Sequence, residues 1–256
     1  MRRFLLYLLA FLSVVSLNAC APAIPENETF SVSGLTGKMT GTLLGSPAES
    51  YLENKIPGAV AASYTDSEIM LKDLLSGRLD CIATDAGTAL KLMSESKNIT
   101  RLDEPFIDEK YSIMTAKENP GLTKDLNSVI SALEASGALS SLIKASYAGH
   151  PSCGSEYLVK EGAATLYVAI DPTFFPYCYY DSERNLCGLE TEVAKAVCSR
   201  LGLNIEFKEM SAEKFLSAVQ NGRAAFAIGR IIAAEDVIAD FTATYLNSEQ
   251  VILVRK

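Results

Sequence analysis

Two ten-residue stretches of this chain carry the same device. SGRLDCIATD (76–85) and NGRAAFAIGR (221–230) each run from a helix end through Gly-Arg into an apolar strand. Around each, short apolar strands alternate with amphipathic helices. A chain that repeats one strand–helix grammar in both halves is constrained to two similar α/β lobes with largely parallel sheets. In the first half, KMTGTLL, AVAASY, CIAT and KYSIMTA read as strands. A helix opens at Pro47 behind Ser46 as candidate N-cap, with Glu49 three residues on. A second runs over 67–75 and stops at Gly77, and residues 122–147 give two helices broken at Gly137. In the second half, TLYVAI, NIEFKEM and FAIGR read as strands, and CYYD–LCGL as a hairpin. Helices are expected over 190–201, ended by Gly202, and over 212–220. The stretch 149–163 has no period and reads as a connector.

The 256 residues allow one large or two small domains. Hydrophobic residues make up 48% and charged residues 21%, a globular balance that argues against extended disorder. The net charge of −8 comes without any basic run, so nucleic acid is not expected as a partner.

At the N-terminus, Arg2 and Arg3 precede an apolar run from Phe4 to Leu17. This reads as a secretory signal, and the run is short of the roughly 20 residues a membrane-spanning helix needs. The ending Leu-Asn-Ala-Cys resembles a bacterial lipobox, in which Cys20 becomes the lipidated first residue. A plain signal with an incidental cysteine is the alternative. Residues 21–33 read as a tether. Such a chain is extracytoplasmic, where disulfides persist. Cys178 and Cys187 flank the polar turn 181–185, and a register centred on that turn makes them a candidate disulfide, with a free pair as the alternative. No Cys/His spacing suits a metal, and His150 is the single histidine. No metal, cofactor or His-based catalysis is therefore expected.

Longer segments carry a family resemblance. TLYVAIDPTFFPYCYYD, GLETEVAKAVCSRLGLNIEF and FTATYLNSEQVILVRK, within 164–256, resemble the first lobe of the amino-acid family (family 3) of type II bacterial solute-binding proteins. GLTGKMTGTLLGSPAESYL, SGRLDCIATDAGTAL, LDEPFIDEKYSIMTAKENPGL and LNSVISALEASGALSSLIKASYAG, within 34–149, resemble its second lobe with the C-terminal helices. The lobes stand in the reverse of the family's order, as a circular permutation would leave them. The implied organisation is a lipoprotein signal (1–20), tether (21–33), second-type lobe with C-terminal helices (34–148), linker (149–163) and first-type lobe (164–256). The implied fold is two Rossmann-like α/β lobes with a ligand cleft between them.

In such sheets ligands bind beyond the carboxyl ends of strands. DPTFFPY (171–177) resembles the family's Asp-x-x-aromatic segment, which implies Phe174 against the ligand, Asp171 facing its side chain and Tyr177 in packing. Gly45-Ser46-Pro47 matches a loop that holds the ligand carboxylate; Ser46 keeps a hydroxyl, while Pro47 removes an N–H donor. Asp85 matches the carboxylate that holds an ammonium group, and a helix N-cap is its other reading. The family's Thr-x-x-Arg carboxylate clamp is absent: Ala233 and Asp236 stand there, and an acidic residue repels a carboxylate. Arg230, three residues before Ala233, either takes over the clamp or lies on the surface.

The resemblance implies a lipid-anchored extracytoplasmic protein that captures a small polar solute, amino-acid-like or an amine, for an ABC importer. Its partners would be the importer's permease and the membrane. A sensor or scaffold that has lost transport is the second reading. A cyclohexadienyl-dehydratase-like enzyme is the third, with Asp85, Asp171, Glu235 or Asp236 as the groups available for acid–base work.

Overall fold

In chain order the first half forms β1 (Met39–Leu43), α1 (Pro47–Lys55), β2 (Val60–Tyr64), α2 (Ser67–Leu75), β3 (Cys81–Asp85), α3 (Ala86–Glu95), β4 (Ile99–Arg101), β5 (Ile107–Thr115), α4 (Pro120–Ala135) and α5 (Ala138–Tyr147). The second half forms β6 (Thr165–Ile170), β7 (Thr173–Phe174), β8 (Cys178–Tyr180), β9 (Leu186–Cys187), α6 (Leu189–Leu201), β10 (Asn204–Glu209), α7 (Phe215–Gln220), β11 (Phe226–Ile232), β12 (Asp240–Phe241) and β13 (Leu246–Arg255). The computed structural model describes residue 24 and residues 26–29, 31–104, 106–147, 157 and 159–256. Cys20, the signal segment, His150 and Cys153 lie outside the described residues.

Local chemistry sets the helix ends. The Asp66 carboxylate accepts from the backbone N–H groups of Glu68 and Ile69 at the start of α2, filling donors that have no intrahelical partner. Asn119 does the same at α4. Gly202 closes α6 in the left-handed conformation, with φ 75°. The expected helix over 212–220 is split into a 3-10 turn (Ala212–Lys214) and the short α7.

The strands repeat one order twice. In the first lobe sheet, β1 pairs in parallel with β2 and β3, β13 runs antiparallel to β3, and β4 closes the edge on β13. In the second, β6 pairs in parallel with β10 and β11, β5 runs antiparallel to β11, and β12 closes the edge on β5. The repeated sequence device thus sits at β3 and β11, the third strand of each sheet. The two antiparallel strands are long because each serves both lobes. β5 and β13 pair with one another from Tyr111↔Leu246 to Ile107↔Gln250, and then each enters the lobe of the other half.

The cores follow these crossings. Leu126, Val129, Ile130 and Leu133 of α4 and Leu139 of α5 pack with Val168, Val193 and Phe226 of the second half. Met70, Leu74, Ile82 and Leu92 pack with Val251 and Leu253 of β13. β1 and the C-terminal strand β13 are also brought near one another. Val254 of β13 and Thr40 of β1 both pair with Cys81, which puts those strands about 10 Å apart, two strand spacings.

The disulfide expected between Cys178 and Cys187 is not formed. The hairpin register is Tyr179↔Cys187 and Tyr180↔Leu186, one residue off the expected pairing. Neighbouring residues on a strand face opposite sides, so a one-residue shift sends the two sulfurs to opposite faces. Cys178 carries a free, buried thiol, while Cys187 is itself disulfide-bonded.

Candidate functional site

A cavity of about 500 Å³ lies between the lobes, lined by strand ends and loops of both. Ser46, Asp85, Asp171, Phe174 and Arg230 all line it, so the structure brings every ligand-contact candidate to one place.

Asp85 ends β3 and caps α3. Its carboxylate accepts from the Thr88 backbone N–H at 3.0 Å and the Thr88 hydroxyl at 2.8 Å, and it is 2% exposed. The cap and the cleft position coexist, because a strand that stops at the carboxyl edge of the sheet hands its last residue to both. Ser46 also caps, accepting from the Glu49 N–H at 3.3 Å. The Gly45 N–H in that loop donates to the Glu49 carboxylate at 2.6 Å. A donor that would otherwise face an anion is therefore filled by the chain itself, and Pro47 supplies none. This corner is weakened for a carboxylate guest.

Asp171 follows β6. It accepts from the Thr173 hydroxyl at 2.7 Å and from the Ala212 N–H at 3.0 Å, which ties the Phe174 loop to the 3-10 turn. Tyr177 is fully buried in the core, as expected of a packing residue. The Phe175 and Tyr179 rings pack on each other with centroids 4.8 Å apart.

Arg230 holds the centre. It lies on β11 in a left-handed backbone conformation, φ 51°, which non-glycine residues rarely adopt. Its guanidinium carbon sits 3.6 Å from the centroid of the Phe174 ring, a cation–π stack. Nη1 lies 3.8 Å from an Asp85 oxygen of the other lobe, an ionic contact too long for a hydrogen bond. The guanidinium nitrogen Nε is buried with no hydrogen-bond partner among the described residues. Burial works against this charge, and Asp85, Tyr111, Glu190 and Tyr177 together outweigh it, so the pKa lies above its usual value. Ala233, Glu235 and Asp236, where the family's clamp would fall, are exposed and outside the cavity lining.

These two lobes, joined by paired crossing strands around a polar cavity, frame the sequence match. Residues 166–256 match the model of bacterial extracellular solute-binding proteins, family 3. Over that segment, about a third of its length, the chain is similar to that family. The L-cystine-binding protein TcyJ of Escherichia coli K12 is 29% identical over 118 residues, 46% of this chain and 44% of the relative. The probable ABC transporter extracellular-binding protein YckB of Bacillus subtilis 168 is 35% identical over 94 residues, 35% of this chain and 33% of the relative. The chain matches less than half the length of these curated relatives. A solved phosphate-binding protein of a phosphate ABC transporter from Streptococcus pneumoniae TIGR4 aligns over 86% of this chain and 88% of its own. Its identity is 9% and its TM-score 0.47.

Sequence reasoning missed part of this cleft. Glu109, Tyr111 and Gln250 line it from the crossing strands. The Tyr111 hydroxyl donates to Glu109 at 2.6 Å, and burial pushes the Glu109 carboxyl above the usual carboxylate range. Glu109 and Gln250 sit in the polar halves of long strands, IDEK and NSEQ, where the sequence does not single out the inward-facing charge. Glu190 was missed as well. It opens α6, is 1% exposed, and accepts from the Arg230 N–H at 2.6 Å and the Tyr245 hydroxyl at 3.0 Å.

Proposed function

We propose that this protein is a family 3 extracytoplasmic lipoprotein that captures a small amino-acid-like solute between its lobes. It delivers the solute to the permease of an ABC importer and is anchored to the membrane through Cys20. One observation carries the ligand class: the same cavity holds a buried donor, Arg230 Nε, and a buried acceptor, Gln250 Oε1, both unpartnered among the described residues. Unmet buried polar atoms cost about 1–3 kcal/mol each, and a zwitterion can meet both. The solute carboxylate takes Arg230, stacked on Phe174. Its ammonium group takes Asp85 and Gln250. Asp171 and Ser46 complete the wall. The names of the relatives, one L-cystine-binding and one a probable ABC transporter binding protein, support this reading.

The lobe order is a circular permutation in this reading, with residues 34–148 as the second-type lobe and 164–256 as the first-type lobe. It is supported by the shared pairing of Val254 and Thr40 with Cys81, since those two segments would be continuous in the unpermuted order.

Calorimetry against an amino-acid panel and a polyamine panel tests the function. A ligand that binds only the folded chain also stabilises it, by about 2.7 kcal/mol at 100 times Kd. Binding of amino acids supports the proposal. Binding of polyamines alone would assign the acidic wall of Asp85, Glu109 and Asp171 to an amine instead.

A further inference from the structure

A second cavity, of about 360 Å³, adjoins the first and is also walled by both lobes. Leu43, Leu44 and Phe174 line both, so one cleft continues past the Phe174 ring. The two compartments differ in what they leave unmet. The first holds the unpartnered Arg230 Nε and Gln250 Oε1. In the second, Thr65 and Ser67 add hydroxyls to the wall, but the other polar side chains are already committed within the chain. The Thr88 hydroxyl donates to Asp85, the Thr173 hydroxyl to Asp171 and the Tyr64 hydroxyl to Asp73. The Lys91 ammonium group is paired with both Glu68 and Glu95 at 3.1 Å. Beside the Thr65 and Ser67 hydroxyls, this compartment presents to a guest the apolar surface of Leu43, Leu44, Phe174, Phe175 and the Tyr64 ring. Leu44 is 66% exposed, an apolar side chain whose burial a guest would reward.

We infer that the second compartment is a side-chain subsite, and that the solute is an α-amino acid with a long apolar side chain rather than a small or charged one. This rests on the amino-acid reading above, with the head group held at Arg230 and Asp85. The side chain then passes over the edge of Phe174 into the compartment, and each methylene buried there leaves water. At about 0.8 kcal/mol per buried methylene, affinity should rise about fourfold per added carbon.

The experiment is calorimetry of the full chain with the straight-chain L-amino acids alanine, 2-aminobutyrate, norvaline, norleucine and 2-aminoheptanoate. The expected result is a stepwise rise that levels off when the compartment is full. Phe175→Ser, which removes part of the apolar wall, should compress the ratio of norleucine to alanine affinity. Affinity that is flat or falls with chain length, while alanine still binds, would overturn the subsite and leave the amino-acid reading standing. If no member of the series binds, the head-group reading fails and the subsite falls with it. An unchanged norleucine-to-alanine ratio in Phe175→Ser would also overturn the subsite.

Discussion

The Glu190 carboxylate accepts a 2.6 Å hydrogen bond from the backbone N–H of Arg230. This joins the first turn of α6 to the one strand residue whose side chain spans the cleft. The same oxygen takes the Tyr245 hydroxyl, so a buried carboxylate holds a left-handed arginine backbone from behind. Glu190 does not itself line the cavity and acts through Arg230 as a positioning residue. Glu190→Gln keeps an acceptor and should preserve fold and binding. Glu190→Leu orphans two buried donors and should cost about 2–6 kcal/mol, at about 1–3 kcal/mol per unsatisfied group. Denaturant unfolding of both variants checks this. Equal stability of the two would show that the hydrogen bonds carry nothing.

Arg230 itself trades stability for position. A non-glycine residue in the left-handed region costs about 1–2 kcal/mol. Arg230→Gly relieves that strain and should raise stability by about 1 kcal/mol while abolishing amino-acid binding. Arg230→Lys keeps the charge but loses the planar fork, and should weaken binding by about 1.5–3 kcal/mol, the worth of a hydrogen bond to a charged group. Thermal unfolding and calorimetry on the two variants read both effects. A lysine variant with unchanged affinity would remove Arg230 from the site.

The fold was legible because its cues are local. Period, caps and Gly stops locate β1 to β3 and α6 within a residue or so, and Asp85 and Arg230 follow from where strands end. The crossing strands were not legible as such. KYSIMTA reads as a strand, but nothing within it says that Ile107–Thr115 leaves one lobe for the other; that is fixed by pairing with residues more than a hundred positions away. The same holds for Glu190, which reads as a charge in the first turn of a helix. Only tertiary packing turns it inward beneath Arg230. The Cys178–Cys187 pairing failed on a one-residue register shift, which a turn sequence does not fix uniquely.

The thiols follow from that register. Burial pushes the Cys81 thiol up to about 11 and the Cys198 thiol up to about 12, and it raises Cys178 further. The thiolate is the reactive form, so Cys81, Cys178 and Cys198 should resist alkylation at neutral pH until the chain unfolds. Cys178→Ala should leave the disulfide of Cys187 intact. Mass spectrometry after alkylation, with and without reductant, reads both outcomes; loss of that disulfide in Cys178→Ala would restore the original pairing.

The lobes also meet at a glycine. A Cβ built on Gly87, in the first turn of α3, would lie 2.5 Å from the Pro176 Cδ and 2.9 Å from the Tyr177 ring of the opposite lobe. The ring of proline is held by its own backbone and Tyr177 is fully buried, so neither can swing aside. Gly87→Ala must therefore push the lobes apart, at a cost of about 1–3 kcal/mol for overpacking.

Acid–base behaviour gives the last expectation. Burial raises the carboxyl groups of Glu109 and Glu190 above their ordinary value of 4.5, against the hydrogen bonds they accept. A raised carboxyl binds its proton more tightly folded than unfolded, so its contribution to stability is fully present below pH 4.5. It is lost as pH rises through the folded pKa. These two groups should therefore make the chain less stable from about pH 4.5 upward, opposite to the trend of a paired surface carboxylate. Glu109→Gln removes one titrating group and keeps an acceptor for the Tyr111 hydroxyl. It should flatten the fall in unfolding free energy between pH 4.5 and 7 without loss of stability at neutral pH. A wild-type curve that rises across this window, with the same slope in Glu109→Gln, would mean that the crossing-strand carboxylate is solvated, and that Glu109 plays no electrostatic part in the cleft.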